Sequence, residues 1–422
     1  MPSAIPHANT LPARLACTQA LSAATGVYAA GVAIQLVTRR AIPEPAWPVN
    51  FILLAAFAAA LVITALAGRR SPFVRWLRSV PVSISAIALV LVQAVLMGTL
   101  RQSPGAGILG DVMHSWPFVL TMFYFLTNLG LATVARAVPF KRENLGFLLN
   151  HLGLWIALSA GMLGAGDLAR LAMELRAGAP EWRAIDRSHA GHAHLVEMPF
   201  ALELRRFEMD TYAPKLVLLD TKNNTIAASR GRAPVEISAP ANSRAPDGAP
   251  LQSSTLGDWS VDILEYIPEA LGFADNYHAM PGEPGAAPAV RVAARRHSAK
   301  ERARHGWVSC GSFATMPAML ELDDGLALAM PDPEPRRFAS QVEVFAPGRE
   351  SRAATIEVNR PLALGGWKIY QLSYDQRRGR WSQTSIVELV RDPWLPGVYT
   401  GVFMMMAGVF FLMARARRKA AA

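Results

Sequence analysis

The sequence predicts a polytopic α-helical membrane protein of about six transmembrane helices, with a large extracytoplasmic β-rich domain between the fifth and sixth helices. Three observations carry this. Six apolar runs are each close to the roughly 20 residues needed to cross a hydrocarbon core. Residues 167–394 instead alternate apolar and polar with a period of two, as half-buried strands do. Finally, Lys and Arg gather in alternate short loops, as they do beside membrane spans.

The apolar runs are residues 16–37, 51–68, 80–100, 116–135, 145–166 and 395–414. Lipid offers no partner for a backbone N–H or C=O, so a helix is the conformation each can adopt there. The expected organisation is a five-helix transmembrane region over 1–166, the external domain over 167–394, and a final helix with a basic tail over 395–422. Residues 15–38 carry no charge up to Arg39 and exceed the length of a signal-peptide core, so the first run is expected to stay as an uncleaved span.

Orientation follows from the loops. With the N-terminus inside, the inner segments hold Arg14, Arg69, Arg70, Arg75, Arg78, Arg136, Lys141, Arg142, Arg415, Arg417, Arg418 and Lys419. The outer short loops hold Arg39, Arg40 and Arg101. This asymmetry puts both termini in the cytoplasm and the large domain on the far side of the membrane, the periplasm or its equivalent. The net charge of +10 thereby has a topological explanation, and no nucleic-acid partner is expected.

Within the external domain, 167–176 reads as a short amphipathic piece. Strand patterns follow at 196–209, 215–220, 259–267, 289–294, 319–328, 341–345, 355–374 and 381–390. Their Thr, Val, Ile, Tyr and Trp content, broken by Asn, Gly, Pro and Asp, argues for an antiparallel sandwich or barrel. Residues 230–254 and 281–288 read as loops.

Chemistry-bearing residues are few. Cys17 and Cys310 lie in a span and in the external domain, so no internal disulfide is expected, and without a CxxC pair redox chemistry is not either. There is no GxSxG, P-loop or HExxH pattern, and no residue is assigned a catalytic role. His151 stands out because an ionisable residue inside a span is a functional candidate by default. It lies ~10 Å along the helix from Asn144, with Phe147 and Trp155 on the same face. Two aromatics about an imidazole suit a flat, metal-bearing ring such as haem, for which His is a common axial ligand. A neutral His bonded to a neighbouring helix is the other reading.

His189, His192 and His194 form a cluster that could bind zinc or copper, or simply be a His-rich solvated loop. His114, beside Trp116 at the outer interface, could meet a ligand leaving the membrane or serve as an interfacial anchor. The basic run 295–305 could dock acidic lipid, haem propionates or an acidic partner, or be a solvated face.

Two stretches resemble one family. The first is Asn150-His151-Leu152-Gly153-Leu154-Trp155 through Gly161-Met162-Leu163-Gly164-Ala165-Gly166-Asp167. The second is Val358-Asn359-Arg360-Pro361-Leu362, then Gly366-Trp367-Lys368-Ile369-Tyr370-Gln371-Leu372-Ser373-Tyr374-Asp375, closing with Arg391-Asp392-Pro393-Trp394-Leu395-Pro396 before the last span. They resemble ResB (CcsB), the membrane protein of System II cytochrome c maturation, over roughly residues 145–415.

The resemblance implies a haem-handling subunit that pairs with a Trp-rich CcsA-like membrane protein. It helps carry haem b across the membrane and presents it for thioether attachment to the CxxCH thiols of apocytochrome c. A thiol-reducing thioredoxin-like protein and membrane lipid are further expected partners. The family's transmembrane haem-ligating His would fall on His151. The chain departs from the family in having five spans before the domain where many members have three, and it lacks the Trp-rich segment of CcsA. It is therefore expected to be a subunit of a synthetase rather than an enzyme alone. The competing reading is a scaffold for another membrane complex, with no haem role.

Overall fold

Each apolar run closes its backbone hydrogen bonds within itself and becomes a helix. The computed structural model describes residues 13–420, apart from 41, 104–105, 187–193, 224, 227–232, 247–248, 275, 298–301 and 324. Six long helices run over Ala13–Thr38, Val49–Ala67, Val80–Thr99, Trp116–Ala137, Leu145–Leu163 and Leu395–Ala420, here the first to sixth spans. All six are long and apolar enough to cross a membrane. Five precede the β-rich region and one follows it, as expected. The fifth stops three residues earlier than its apolar run because Gly164 closes it and Ala165–Asp167 tightens into a 3₁₀ turn.

The chain forms two compact units: residues up to Ala169 together with Arg391 onward, and Arg170–Val390. In the helical unit the fourth span is central. Its apolar window is 56% buried, against 11–28% for the other five. Ala20, Ala24, Val82 and Ala86 pack around its Tyr124, and Leu61 and Ala65 of the second span meet its Leu131. Several polar side chains in these spans find partners inside the bundle, since lipid has none. Gln93 Nε2 donates to Thr121 Oγ1 at 2.6 Å, and Asn128 Nδ2 donates to the Leu77 carbonyl at 2.7 Å. The outward residues are large and apolar, among them Ile52, Ile63, Leu91, Phe403 and Phe410.

The fifth and sixth spans make the closest helix pair. A Cβ on Gly153 would lie 2.5 Å from the Gly401 carbonyl, and one on Gly408 would lie 2.6 Å from Asn150 N. Bare glycines on both helices let the backbones approach to a distance that any side chain would prevent. This sets the rotation of the fifth span: its glycine face meets the sixth, and the face carrying His151 and Trp155 turns elsewhere.

The β-rich unit holds three sheets. The largest has eight strands in the order Arg352–Glu357, Pro335–Phe345, His194–Thr211, Pro180–Asp186, Ala169–Arg176, Thr384–Arg391, Trp367–Tyr374 and Leu362–Leu364. Its first and last strands in sequence, Ala169–Arg176 and Thr384–Arg391, are neighbours, so the chain enters and leaves on adjacent strands. The sheet curls back on itself. Ser340, near one end of this order, donates to Gln371 Oε1 near the other at 2.6 Å, and Ser385 Oγ lies 2.7 Å from Ser340 Oγ. All three are buried, and Gln371 Nε2 also donates to the Ser373 carbonyl at 2.9 Å. A buried network of this kind is tolerable because its members satisfy one another.

The other two sheets form a sandwich. One is built on Trp259–Phe273, flanked by Ala287–Arg296 and Arg304–Ser309 on one side and Asn276–Ala279 on the other. The second centres on Lys215–Asp220 and Leu326–Ala329. Their facing residues Leu216, Leu218, Trp259, Val261, Ile263, Val290, Val292, Val308 and Leu328 make one core.

Several strands differ from the sequence reading for local reasons. The expected strand 355–374 is three strands, Arg352–Glu357, Leu362–Leu364 and Trp367–Tyr374. Asn359 (φ 74°), Gly365 (φ 57°) and Gly366 (φ 84°) turn the chain between them through left-handed conformations. The expected strand 319–328 is a hairpin, Leu320–Glu321 and Leu326–Ala329, turned at Gly325 (φ 72°). The amphipathic piece at 167–176 is mostly the strand Ala169–Arg176. Pro180–Asp186, Asn276–Ala279 and Arg304–Ser309 are strands without a clear alternation, and the loop 230–254 contributes Val235–Glu236, Ser243–Arg244 and the start of Gln252–Leu256.

Candidate functional site

The fifth span carries the site because it places a polar group where a helix is otherwise apolar. On His151, Nδ1 lies 3.1 Å from the Phe147 carbonyl oxygen one turn earlier. A carbonyl only accepts, so Nδ1 holds the hydrogen in this bond and Nε2 carries the lone pair. Nε2 has no hydrogen-bond partner among the described residues. The imidazole also stacks on the Phe147 ring, with centroids 3.6 Å apart and planes 24° from parallel. Phe147 in turn lies under the Arg136 guanidinium, 4.1 Å from its ring centroid. Guanidinium, phenyl ring and imidazole thus form a stack between the end of the fourth span and the start of the fifth.

Trp155, one turn beyond His151, stacks on Phe57 of the second span at 5.9 Å and packs near Leu61 and Gly130. Its indole Nε1 is buried without a hydrogen-bond acceptor, and so is Ser159 Oγ one turn further on. His151, Trp155 and Ser159 therefore make a line of polar atoms along one face of the span, opposite the glycine face.

At the other end of the fifth span, Asp167 gathers three donors. Its Oδ1 accepts from the Trp47 backbone N–H at 2.8 Å, and its Oδ2 accepts from Asn50 Nδ2 and from Trp394 Nε1, both at 2.7 Å. Asn50 is fully buried and also donates to the Leu163 carbonyl at 2.9 Å. Burial alone would raise the Asp167 pKa, but the hydrogen bonds from Trp47, Asn50 and Trp394 outweigh it and hold the carboxyl below the ordinary range. This hub ties the second, fifth and sixth spans. An Asp just past an apolar run and an Asn just inside another were its only signals in the sequence.

His114 sits between two carboxylates. Its Nδ1 lies 2.5 Å from Asp111 Oδ1 and its Nε2 lies 3.0 Å from Glu44 Oε1, while its backbone carbonyl accepts from Ile42 N–H at 3.0 Å. Burial pushes its pKa down, but the two carboxylates more than offset this and raise it. Both ring nitrogens are thus engaged in joining two connecting loops. His189 and His192 lie outside the described residues. His194 opens the strand His194–Thr211 in register with Asp186. No group of three metal-ligating side chains occurs among the described residues. In the basic run, Arg295 and Arg296 close a strand, Arg304 ion-pairs with Asp323, and 298–301 lie outside the described residues.

The closing motif proves to be folding chemistry. Asn359 supplies a left-handed turn, Gln371 sits in the buried network with Ser340 and Ser385, and Tyr374 stacks on Phe207 at 5.0 Å. Trp381, shortly after it, donates from Nε1 to the Ala286 carbonyl at 3.2 Å and so reaches the neighbouring sheet.

Helices and sheets together define a multi-pass membrane protein whose β-rich part is inserted between its last two spans. Residues 303–386 of that part match the model of the ResB-like family, the family that the motifs of the sequence resemble. The match begins just before Arg304–Ser309 and covers the 358–375 stretch; His151 and residues 391–396 lie outside it. None of the curated proteins compared with the chain matches it.

Proposed function

We propose that this protein is the haem-handling subunit of a System II cytochrome c maturation complex. It receives haem b on its cytoplasmic side, holds it at His151 during passage, and presents it with a CcsA-like partner for attachment to apocytochrome c. Haem is cargo here rather than a resident cofactor. The observation that carries the reading is the 3.1 Å contact of His151 Nδ1 with the Phe147 carbonyl oxygen: a carbonyl only accepts, so the hydrogen belongs on Nδ1 and Nε2 is left to offer its lone pair to iron. A second bond of this kind orients a ligating His and increases its basicity.

Phe147 then acts on the imidazole rather than on the haem face. The iron–nitrogen bond lies in the imidazole plane, so a ligated macrocycle stands across that plane, while the Phe147 ring lies nearly parallel to it. Phe147 braces the ligand and fixes its rotation. Trp155 and Ser159 extend the polar line toward the far end of the span. One His provides one axial ligand, and the second belongs to the partner chain.

The test is co-purification of the full chain with its CcsA-like partner, followed by haem spectroscopy of wild type and His151→Ala. The wild type is expected to carry axially ligated haem and the variant to lose that signature. An unchanged spectrum and haem content would overturn the ligand role. Deletion of the gene is expected to abolish c-type cytochromes; normal levels would favour the scaffold reading instead.

A further inference from the structure

We infer that Arg136 is a substrate-binding residue, its guanidinium receiving a carboxylate at the edge of the metalloporphyrin whose iron is held by His151. This rests on the haem reading of His151 and adds the part of the site that recognises the substrate's charge.

The first support is position. Arg136 lies 4.1 Å over the Phe147 ring, and that ring lies 3.6 Å from the imidazole. The guanidinium is therefore held within about 8 Å of the proposed iron ligand by an intervening cation–π contact. It is exposed, so its donors are available, and Asn144 Nδ2 donates to the Arg136 carbonyl at 3.2 Å, tying its backbone to the start of the fifth span.

The second support is charge. Contacts of Arg69 with the Val138 carbonyl and of Arg415 with Glu143 show that the 68–79 connection, the 138–144 connection and the end of the sixth span share one end of the bundle. That end carries Arg69, Arg70, Arg75, Arg78, Arg136, Lys141, Arg142 and Arg415, with Glu143 as the single Asp or Glu there among the described residues. Glu143 is paired with Arg415, 3.4 Å from Nη2. Among the described residues Arg136 has no acidic partner. A guanidinium with unused donors in a field of one sign is suited to a carboxylate brought by a ligand.

A lysine would not serve as well, because only the planar guanidinium both stacks on an aromatic face and presents paired N–H groups to a carboxylate. A neutral macrocycle would gain nothing from Arg136, so its contribution separates the charged edge of the substrate from its iron.

The test compares iron protoporphyrin with its dimethyl ester, in which the carboxylates are neutral, on the full chain in lipid nanodiscs. Arg136→Gln is expected to weaken binding of the free acid on the order of ten- to hundredfold, the range for losing a hydrogen bond to a charged group. Binding of the ester is expected to be unchanged, which also shows that the variant is folded. Arg136→Lys is expected to fall between, and Arg69→Gln, which alters the same field away from the stack, to bind the free acid as wild type does. Equal weakening for acid and ester, no weakening for either, or equal weakening in Arg69→Gln would overturn the assignment. His151→Ala distinguishes the two readings. If it abolishes axial ligation while Arg136→Gln fails to separate acid from ester, the inference about Arg136 falls and the haem site stands.

Discussion

The indole Nε1 of Trp394 donates to the carboxylate of Asp167 at 2.7 Å, joining two residues 227 positions apart in sequence. Between them lies the whole β-rich insertion. The bond lies within the helical unit, where the fifth span ends and the sixth begins.

Asp167→Ala removes the common acceptor of Trp47, Asn50 and Trp394. Loss of hydrogen bonds to a charged group is expected to destabilise the helical unit by on the order of 2–3 kcal/mol. A lowered melting temperature of the full chain in detergent, measured by tryptophan fluorescence, would report it. The Asp167 pKa is depressed in the folded chain, so its contribution is present above the ordinary carboxylate pKa and is lost as pH falls through the folded value. The wild type should therefore lose stability in strong acid more steeply than Asp167→Asn; matching pH profiles would contradict the hub.

Gly153 and Gly161 lie on the same helix but meet different surroundings. A Cβ on Gly153 would lie 2.5 Å from the Gly401 carbonyl, whereas one on Gly161 would meet nothing within 4 Å. Gly153→Val should separate the fifth and sixth spans and cost about 1–3 kcal/mol or more, as overpacking does. Gly161→Ala should be neutral or slightly stabilising, because glycine in a helix interior is the weaker choice. Equal stabilities of the two variants in a thermal melt would contradict the close helix pair.

His114 makes the junction of two connecting loops sensitive to pH. Its pKa is raised in the folded chain, so the stability it contributes is full below its unfolded pKa near 6.5 and is lost as pH rises through the folded value. Hydrogen exchange at the Ile42 amide, which donates to the His114 carbonyl, should quicken across that window. His114→Gln should remove the pH dependence. A profile that persists in the variant would assign it to another group.

Cys310 is expected to be inert. Burial, with a smaller contribution from the nearby Asp332, pushes its thiol up to about 12. Only the thiolate attacks an alkylating reagent, so a water-soluble maleimide should leave Cys310 unmodified at pH 7–8 in the folded chain and label it after denaturation. Rapid labelling of the native protein would show that the strand end carrying it opens.

The six spans were legible in the sequence because an apolar run of that length has one stable conformation in lipid. His151 was legible for the same reason: against an uncharged background a single imidazole is conspicuous. The sandwich strand Trp259–Phe273 could also be read from the alternation at its start, since burial on one face leaves a period of two, and Lys215–Asp220 from its short apolar run, whose consecutive residues Leu216, Val217 and Leu218 are all buried. Short strands such as Pro180–Asp186 left no such trace, because their neighbours in the sheet hold them rather than their own pattern.

Tertiary structure alone decided the partners. Nothing local told that Arg136 would lie over Phe147, that Asp167 would gather Asn50 and Trp394, or that Gln371 of the closing motif would bridge to Ser340. Those pairings join residues whose separation in the chain bears no relation to their distance in space. The sequence by itself determined which segments enter the membrane and where the one imidazole among them lies, because these follow from solvation of individual residues. Which face that group presents, what braces it and which cation stands beside it follow from helix rotation. That rotation is set by the close approach of the glycine faces of the fifth and sixth spans.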